Sequence, residues 1–328
     1  MDPVLVEVTR GGRVESVHRG AVAVLDTQGG VVFAAGDIDA AVFPRSAVKA
    51  LQALPLVESG AADRLGLTDA EIALACSSHN GEELHAATAA EMLRKAGRDG
   101  SCLACGAHWP YYEPAARALA AAGGTPLALH NNCSGKHSGF VCLACDAGDD
   151  PAGYVRPEHP TMQRVTAALA ETTVTVLDAR NRGTDGCSIP TYAIPLRALA
   201  LAFARFGTGH GWSADRAAAA ARIRAAVAAH PFMVAGTGRF DTEVMQALGA
   251  RMFSKTGAEG VHCVALPELG LGFAVKCDDG AGRAADLVAA ALTERFLGAA
   301  LPESLRNPVL RNWNGIEVGG LRVAAALG

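Results

Sequence analysis

Apolar residues cluster in short blocks at both ends of the chain and recur at helical spacing between them. Val4, Leu5, Val6 and Val8, then Val14 to Val17, Ala21 to Leu25 and Val31 to Ala34, read as strands. Asp26-Thr27-Gln28-Gly29-Gly30 supplies a hairpin turn, so residues 3–36 are predicted to form an antiparallel meander. Near the other end, Val261 to Leu266 and Leu271 to Lys276 flank the turn residues Pro267-Glu268-Leu269-Gly270. A helix is expected over 283–298, and Gly315 to Val323 alternates as a last strand. From about 45 to 250 the pattern is mostly helical. Thr68-Asp69-Ala70-Glu71 is a capping box and Asn80 with Glu83 a second cap signal. Pro126, Pro151, Pro160, Pro190 and Pro195 punctuate this stretch.

Two strand-rich ends around a helical middle fit one antiparallel sheet assembled from both termini. The expected fold class is α+β, with terminal helices covering one face of the sheet and the middle inserted as a helical lobe. The chain is then a single two-lobed domain, with an α/β lobe at approximately 1–60 and 250–328 and a helical lobe at approximately 61–249. A cleft between two such lobes is the default place for a site.

Composition narrows the function classes. The 328 residues are ample for a real core, and half are hydrophobic while 5% are aromatic, so alanine supplies much of the apolar content. The 33 acidic residues outnumber the 29 basic ones, for a net charge of −4, which argues against nucleic acid as a partner. No stretch approaches the length of a membrane span: the alanine tract at 217–229 is broken by Arg222 and Arg224. The Met-Asp-Pro-Val start lacks the basic and apolar regions of a secretion signal. A cytoplasmic protein is expected, and its nine cysteines are expected as reduced thiols.

Three short signals follow one another in the order S-x-x-K, S-x-N, K-T-G. They are Ser46-Ala47-Val48-Lys49, Ser78-His79-Asn80 and Lys255-Thr256-Gly257. In the first, Ser46 and Lys49 fall on one face of a helical turn, which places an amine beside a hydroxyl. Serine becomes a nucleophile when a base takes its proton, and a neutral lysine can serve. Bringing a lysine pKa from about 10.4 to neutrality takes roughly 4 kcal/mol, within reach of burial plus a neighbouring cation. The same ordered set marks the penicillin-recognising serine enzymes. The spacings here depart from theirs, so a penicillin-directed activity does not follow.

A further locus is His130-Asn131-Asn132-Cys133-Ser134-Gly135-Lys136-His137. It fails as a phosphate loop, because His130 stands where that loop needs glycine and His137 where it needs Ser or Thr. Cys133 with Lys136 or His137, joined by Cys187 of Asp185-Gly186-Cys187, offers thiolate and nitrogen ligands for a tetrahedral zinc with one open position. From spacing, His137 is the expected nitrogen ligand; two buried reduced cysteines are the alternative. The Cys-Leu-Ala-Cys strings at 102–105 and 142–145 lie too far apart for a zinc ribbon and read as core packing, as do Cys76, Cys263 and Cys277.

With these residues in place, the chain resembles the rhizobial-type, class 3 L-asparaginases, the asparaginase II family, which share the serine β-lactamase and glutaminase-like fold. The resemblance runs through Arg10-Gly11-Gly12, His18-Arg19-Gly20, Phe43-Pro44-Arg45-Ser46 to Lys49, Ser77 to Glu82 and Cys105-Gly106-Ala107-His108. It continues through His130 to His137, Asp185-Gly186-Cys187, His230-Pro231 to Asp241 and Lys255 to Gly260. It implies two Ser/Lys pairs, Ser46 with Lys49 and Ser78 with Lys255, hydrolysing L-asparagine to L-aspartate and ammonia. It also implies a zinc held by Cys133, Lys136 and Cys187 with a water, in place of the expected His137, and a homodimer. In that family the metal shapes the pocket and substrate affinity rather than generating hydroxide. From adjacency, Arg45 is expected on the substrate's α-carboxylate, with a purely structural cap as the alternative, and Asp185 on its ammonium group or orienting a lysine, while Asn80 and His137 are expected to line the pocket.

The leading reading is a covalent serine amidohydrolase with the acyl group on Ser46 and Lys49 as its base. One rival makes zinc-bound water the nucleophile. Another is a β-lactamase-like protein that binds an amino acid without catalysis.

Overall fold

The computed structural model describes residues 1–327. It mixes helices with an antiparallel sheet, as expected, and the chain divides into two compact units. One comprises Met1–Ala47, Ala193–His210 and Arg251–Gly328, the other Val48–Tyr192 and Gly211–Ala250.

The first unit is built on a sheet that takes strands from both chain ends. Its order is Val309–Arg311, Glu317–Val323, Val4–Arg10, Arg13–Asp26, Leu271–Cys277, Val261–Leu266 and Phe253–Thr256, with Val31–Ala35 also pairing with Arg13–Asp26. The ladders are antiparallel, for example Val8 opposite Leu321 and Phe273 opposite Val24. The segments Val14–Val17 and Ala21–Leu25, separate in the sequence pattern, belong to one 14-residue strand. Asp26 closes the following turn by accepting the backbone N–H groups of Gln28 and Gly30 on Oδ1.

Helices cover both faces of this sheet, not one. Leu196–Thr208 packs so closely that a Cβ on Gly272 would lie 2.1 Å from the Ala204 nitrogen. His262 pairs with Val275, which alternation puts on the opposite face from Gly272, and it meets Asp286 of the Gly282–Leu297 helix. Burial on both sides explains why Ala21 to Leu25 is uniformly apolar rather than alternating. The Leu196–Thr208 helix, assigned from sequence to the helical lobe, therefore belongs with the sheet. Its Phe203 and Phe206 pack on Phe253 of the edge strand.

The second unit is helical. Its central helix, Lys49–Glu58, is buried from Lys49 to Val57 and packs against Ser134–Asp146, Pro160–Thr173 and Ala214–Ala229. Glycine permits one close crossing: a Cβ on Gly135 would sit 2.3 Å from the Leu74 carbonyl oxygen of helix Asp69–Ala75. That helix begins with the expected capping box, Thr68 with Glu71. The second cap signal is not used. Glu82 precedes helix Glu83–Lys95 without a side-chain cap, and the Asn80 amide is engaged elsewhere. Among the described residues no helix is long and apolar enough to cross a membrane.

Candidate active site

The turn that carries Ser46 is a short 3₁₀ segment, Arg45–Val48, leading into helix Lys49–Glu58. Arg45 takes a left-handed backbone conformation, φ 51°, unusual for a residue with a Cβ. Ala47 N–H donates to the Pro44 carbonyl at 3.0 Å. On the same unit, a Cβ on Gly257 would lie 2.6 Å from the Pro44 oxygen and 3.1 Å from the Ala47 nitrogen. The Lys255-Thr256-Gly257 segment thus lies directly against the Ser46 turn, and glycine is the residue that permits it.

In the helical unit, Lys49 directs its amine into a buried cluster. Nζ donates to the Ser77 carbonyl at 2.5 Å, to Ser78 Oγ at 2.9 Å and to Cys133 Sγ at 3.1 Å. These three bonds account for all the donors of an ammonium group. The Ser77-Ser78 segment is fixed by backbone bonds, Ser78 N–H to Val234 O at 2.8 Å and His79 N–H to Asn132 O at 3.1 Å. Cys133 N–H is in turn held by Asn131 Oδ1 at 2.8 Å. Residues far apart in sequence, at 49, 78 and 133, therefore meet here.

Lys136, one helical turn beyond Cys133, donates to Cys187 Sγ at 3.0 Å, and the Cys187 thiol also contacts Asp185 Oδ2 at 3.6 Å. A hydrogen bond from Cys187, helped by the charges of Lys49 and Lys136, holds Cys133 well below the usual thiol range against the opposing effect of burial. Cys187, donating that bond and buried, is pushed up. Burial opposes the charge on Lys136, but Cys187 and Cys133 outweigh it and keep the ammonium form. Lys49 goes the other way: burial lowers its pKa, and the neighbouring Lys136 charge adds to the effect.

Two thiols and a lysine amine thus converge in the buried interior of the helical unit, where Cys187 and Lys136 would have to give up their protons to ligate a metal. Among the described residues no three His, Cys, Asp or Glu side chains gather as a metal site. His137, the ligand expected from spacing, is directed elsewhere. Its Nδ1 meets Tyr154 Oη at 2.5 Å, while Tyr154 Oη also accepts the Ala104 N–H at 2.9 Å. Among the described residues its Nε2, like Ser77 Oγ, is buried with no hydrogen-bond partner. Tyr154 carries no motif and was not anticipated; a buried tyrosine at position 154 gives no sequence signal of its partner.

Asn80, expected to line the substrate pocket, is buried and bridges two groups of a neighbouring loop. Its Nδ2 donates to Thr237 O at 3.0 Å, and its Oδ1 accepts from Arg239 at 3.0 Å. Lys255 lies in the sheet unit on the edge strand Phe253–Thr256, where its Nζ reaches the Thr256 carbonyl at 2.7 Å. On the other face of that strand Ser254 Oγ meets His262 Nε2 at 2.8 Å and His262 Nδ1 meets Asp286 at 3.1 Å, a relay absent from the sequence reading. All nine cysteines are free thiols. Cys105 and Cys142 are pushed up to about 12 by burial, in keeping with packing roles, while Cys102 and Cys145 are only partly buried.

The family model described as L-asparaginase II matches residues 6–323. No curated protein shows significant similarity to the chain. Among solved structures, a β-lactamase from Mycobacterium bovis is similar at 15% identity and a TM-score of 0.41, over 81% of this chain and 89% of that one. A protein described as a β-lactamase from Bacteroides dorei is similar at 14% identity and a TM-score of 0.38, over 79% and 84% of the two chains.

Proposed function

This chain belongs to the L-asparaginase II family, and from that premise we propose that it hydrolyses the side-chain amide of L-asparagine to L-aspartate and ammonia. The observation that carries a Ser/Lys mechanism is the Lys49–Ser78 hydrogen bond at 2.9 Å inside a site where burial favours the neutral amine.

In this reading Ser46 Oγ attacks the amide carbon and its proton passes to Lys49, with the Ser78 hydroxyl as a relay already bonded to that amine. Backbone N–H groups of the Arg45–Val48 turn hold the oxyanion. Lys49 returns the proton to the departing nitrogen, ammonia leaves, and an aspartyl ester remains on Ser46. Water then attacks the ester with Lys49 again as base, releasing L-aspartate and regenerating the serine. Lys255, in the sheet unit, is the second amine that the family resemblance assigns to the reaction, as a neighbouring cation or as the base for Ser78. Asp185 is assigned to the substrate's ammonium group and Arg45 and His137 to the wall of the pocket, while Asn80 acts through its bonds to the Thr237–Arg239 loop.

Cys133, Lys136 and Cys187 would hold zinc, with the two thiols as thiolates and the lysine as a neutral amine. When bound, the ion supplies a fixed positive charge that shapes the pocket. The same reading, by resemblance, has a cytoplasmic homodimer with neither nucleic acid nor membrane as partner.

The test is ammonia release from L-asparagine and L-glutamine by the wild type, Ser46→Ala and Ser78→Ala, with and without chelator. The expected result is L-asparagine turnover that collapses in both variants and survives chelation. Loss on chelation with Ser46→Ala fully active would instead favour zinc-bound water as nucleophile.

A further inference from the structure

Beside the Ser77-Ser78 segment stands an arginine with no carboxylate. Arg239 is half-buried, and among the described residues its guanidinium makes one hydrogen bond, from an Nη to Asn80 Oδ1 at 3.0 Å, and no ion pair. Other half-buried arginines of this chain are ion-paired, Arg216 with Glu58 and Glu171, Arg222 with Asp63 and Arg306 with Glu303. Of the five N–H donors of a guanidinium, Arg239 therefore has most uncommitted.

Its loop is firmly held. Thr237 N–H and Oγ1 donate to the two Glu82 oxygens at 2.8 and 2.7 Å, the Asn80 amide donates to Thr237 O, and Gly236 N–H donates to Thr242 Oγ1 at 3.1 Å. Gly236 adopts φ 101°, and a Cβ there would lie 2.5 Å from Glu82 Oε1. Glu82 accepts from Thr237 and, among the described residues, makes no ion pair with Arg239. Two residues before Asn80 is Ser78, whose backbone N–H is tied to Val234 at the head of the same loop. One short segment thus carries both the Lys49-bonded hydroxyl and the amide that orients Arg239.

We propose that Arg239, oriented by Asn80, recognises the α-carboxylate of the amino-acid substrate. The inference rests on the asparaginase reading and adds to it the group that distinguishes an amino acid from a simple amide. A guanidinium fork held in advance matches a carboxylate in two parallel hydrogen bonds. Arg45, which the sequence suggested for this task, already has partners within the structure. Asn80 becomes a positioning residue, its amide oxygen fixing the rotamer of Arg239 rather than touching the substrate.

The experiment compares L-asparagine with its α-carboxamide as substrates for the wild type, Arg239→Gln and Arg239→Lys, with thermal melts of each. Arg239→Gln is expected to raise KM for L-asparagine about 10- to 100-fold, the weight of a charge-assisted pair, with kcat changed by less than about threefold. Arg239→Lys should recover part of that loss, and the wild-type preference for L-asparagine over the α-carboxamide should collapse in Arg239→Gln. If the α-carboxamide is not turned over, the KM rise and its rescue by lysine decide alone. An unchanged KM, or an equal fall in kcat and kcat/KM with a lowered melt, would overturn the assignment. Should the wild type release no ammonia from L-asparagine, the asparaginase reading fails by itself. Calorimetric binding of L-aspartate, lost in Arg239→Gln, would then still support Arg239, and wild type that does not bind it would overturn it.

Discussion

The amine of Lys49 lies 2.9 Å from the hydroxyl of Ser78, and both residues are almost sealed from solvent. An amine in that position is a base only when neutral, and burial lowers its pKa in that direction. Lys49→Met keeps the volume and removes the base. It is expected to lower kcat for L-asparagine by about 10³-fold or more while the melting temperature holds or rises, because an apolar replacement ends the desolvation of a buried amine. Steady-state kinetics and a thermal melt check both halves.

The cluster of Cys133, Lys136 and Cys187 predicts a metal-dependent affinity. Metal analysis of purified protein should find zinc, and Cys187→Ala should lose it. Chelated wild type is expected to keep its turnover with KM raised about tenfold or more, the scale of perturbing a metal site. An unchanged KM after complete removal of the metal would separate this cluster from the substrate.

His79 and His85 stack at 4.7 Å, and His85 stacks in turn on Phe232. Gly81 N–H donates to His79 Nδ1, so the proton sits on Nε2, facing Ser134 Oγ. Burial lowers both imidazole pKa values, His79 well below its ordinary value. The folded state then binds fewer protons than the unfolded one below about pH 6.5. Stability is complete above that pH and falls as pH drops through it, by up to about 2 kcal/mol from His79 alone by pH 5. Denaturant unfolding at pH 7.5 and 5.5 measures this, and His79→Gln should show a flatter profile. Equal slopes for the two proteins would count against it.

Gly257 ties the edge strand to the Ser46 turn through contact that leaves no room for a methyl group. Gly257→Ala must displace the backbone of Pro44 or Ala47, which is expected to destabilise by about 1–3 kcal/mol and to lower kcat. A variant with wild-type stability and kinetics would show that the turn tolerates movement.

The periodicity of the two chain ends made the shared sheet legible, because strands there alternate or run apolar in blocks bounded by turn residues. What it did not reveal was the second covering helix, Leu196–Thr208, which is amphipathic like its neighbours and carries no mark of what it packs on. The ordered short signals pointed to Ser46, Lys49, Ser78 and Lys255, but could not show that Lys49 faces Ser78 and Cys133. Helical spacing favoured His137 over Lys136 as the nitrogen donor. Tyr154, 17 residues from His137, decides which way the imidazole is held. The side-chain role of Asn80 was likewise invisible, since its partners lie more than 150 residues away.

The central claim is an aspartyl ester on Ser46. Acid-quenching the enzyme during turnover with saturating L-asparagine, followed by mass spectrometry of its peptides, tests it directly. The account predicts one added aspartyl group on the peptide containing Ser46, absent from Ser46→Ala. Undiminished turnover by Ser46→Ala, with no adduct on any peptide, would contradict it.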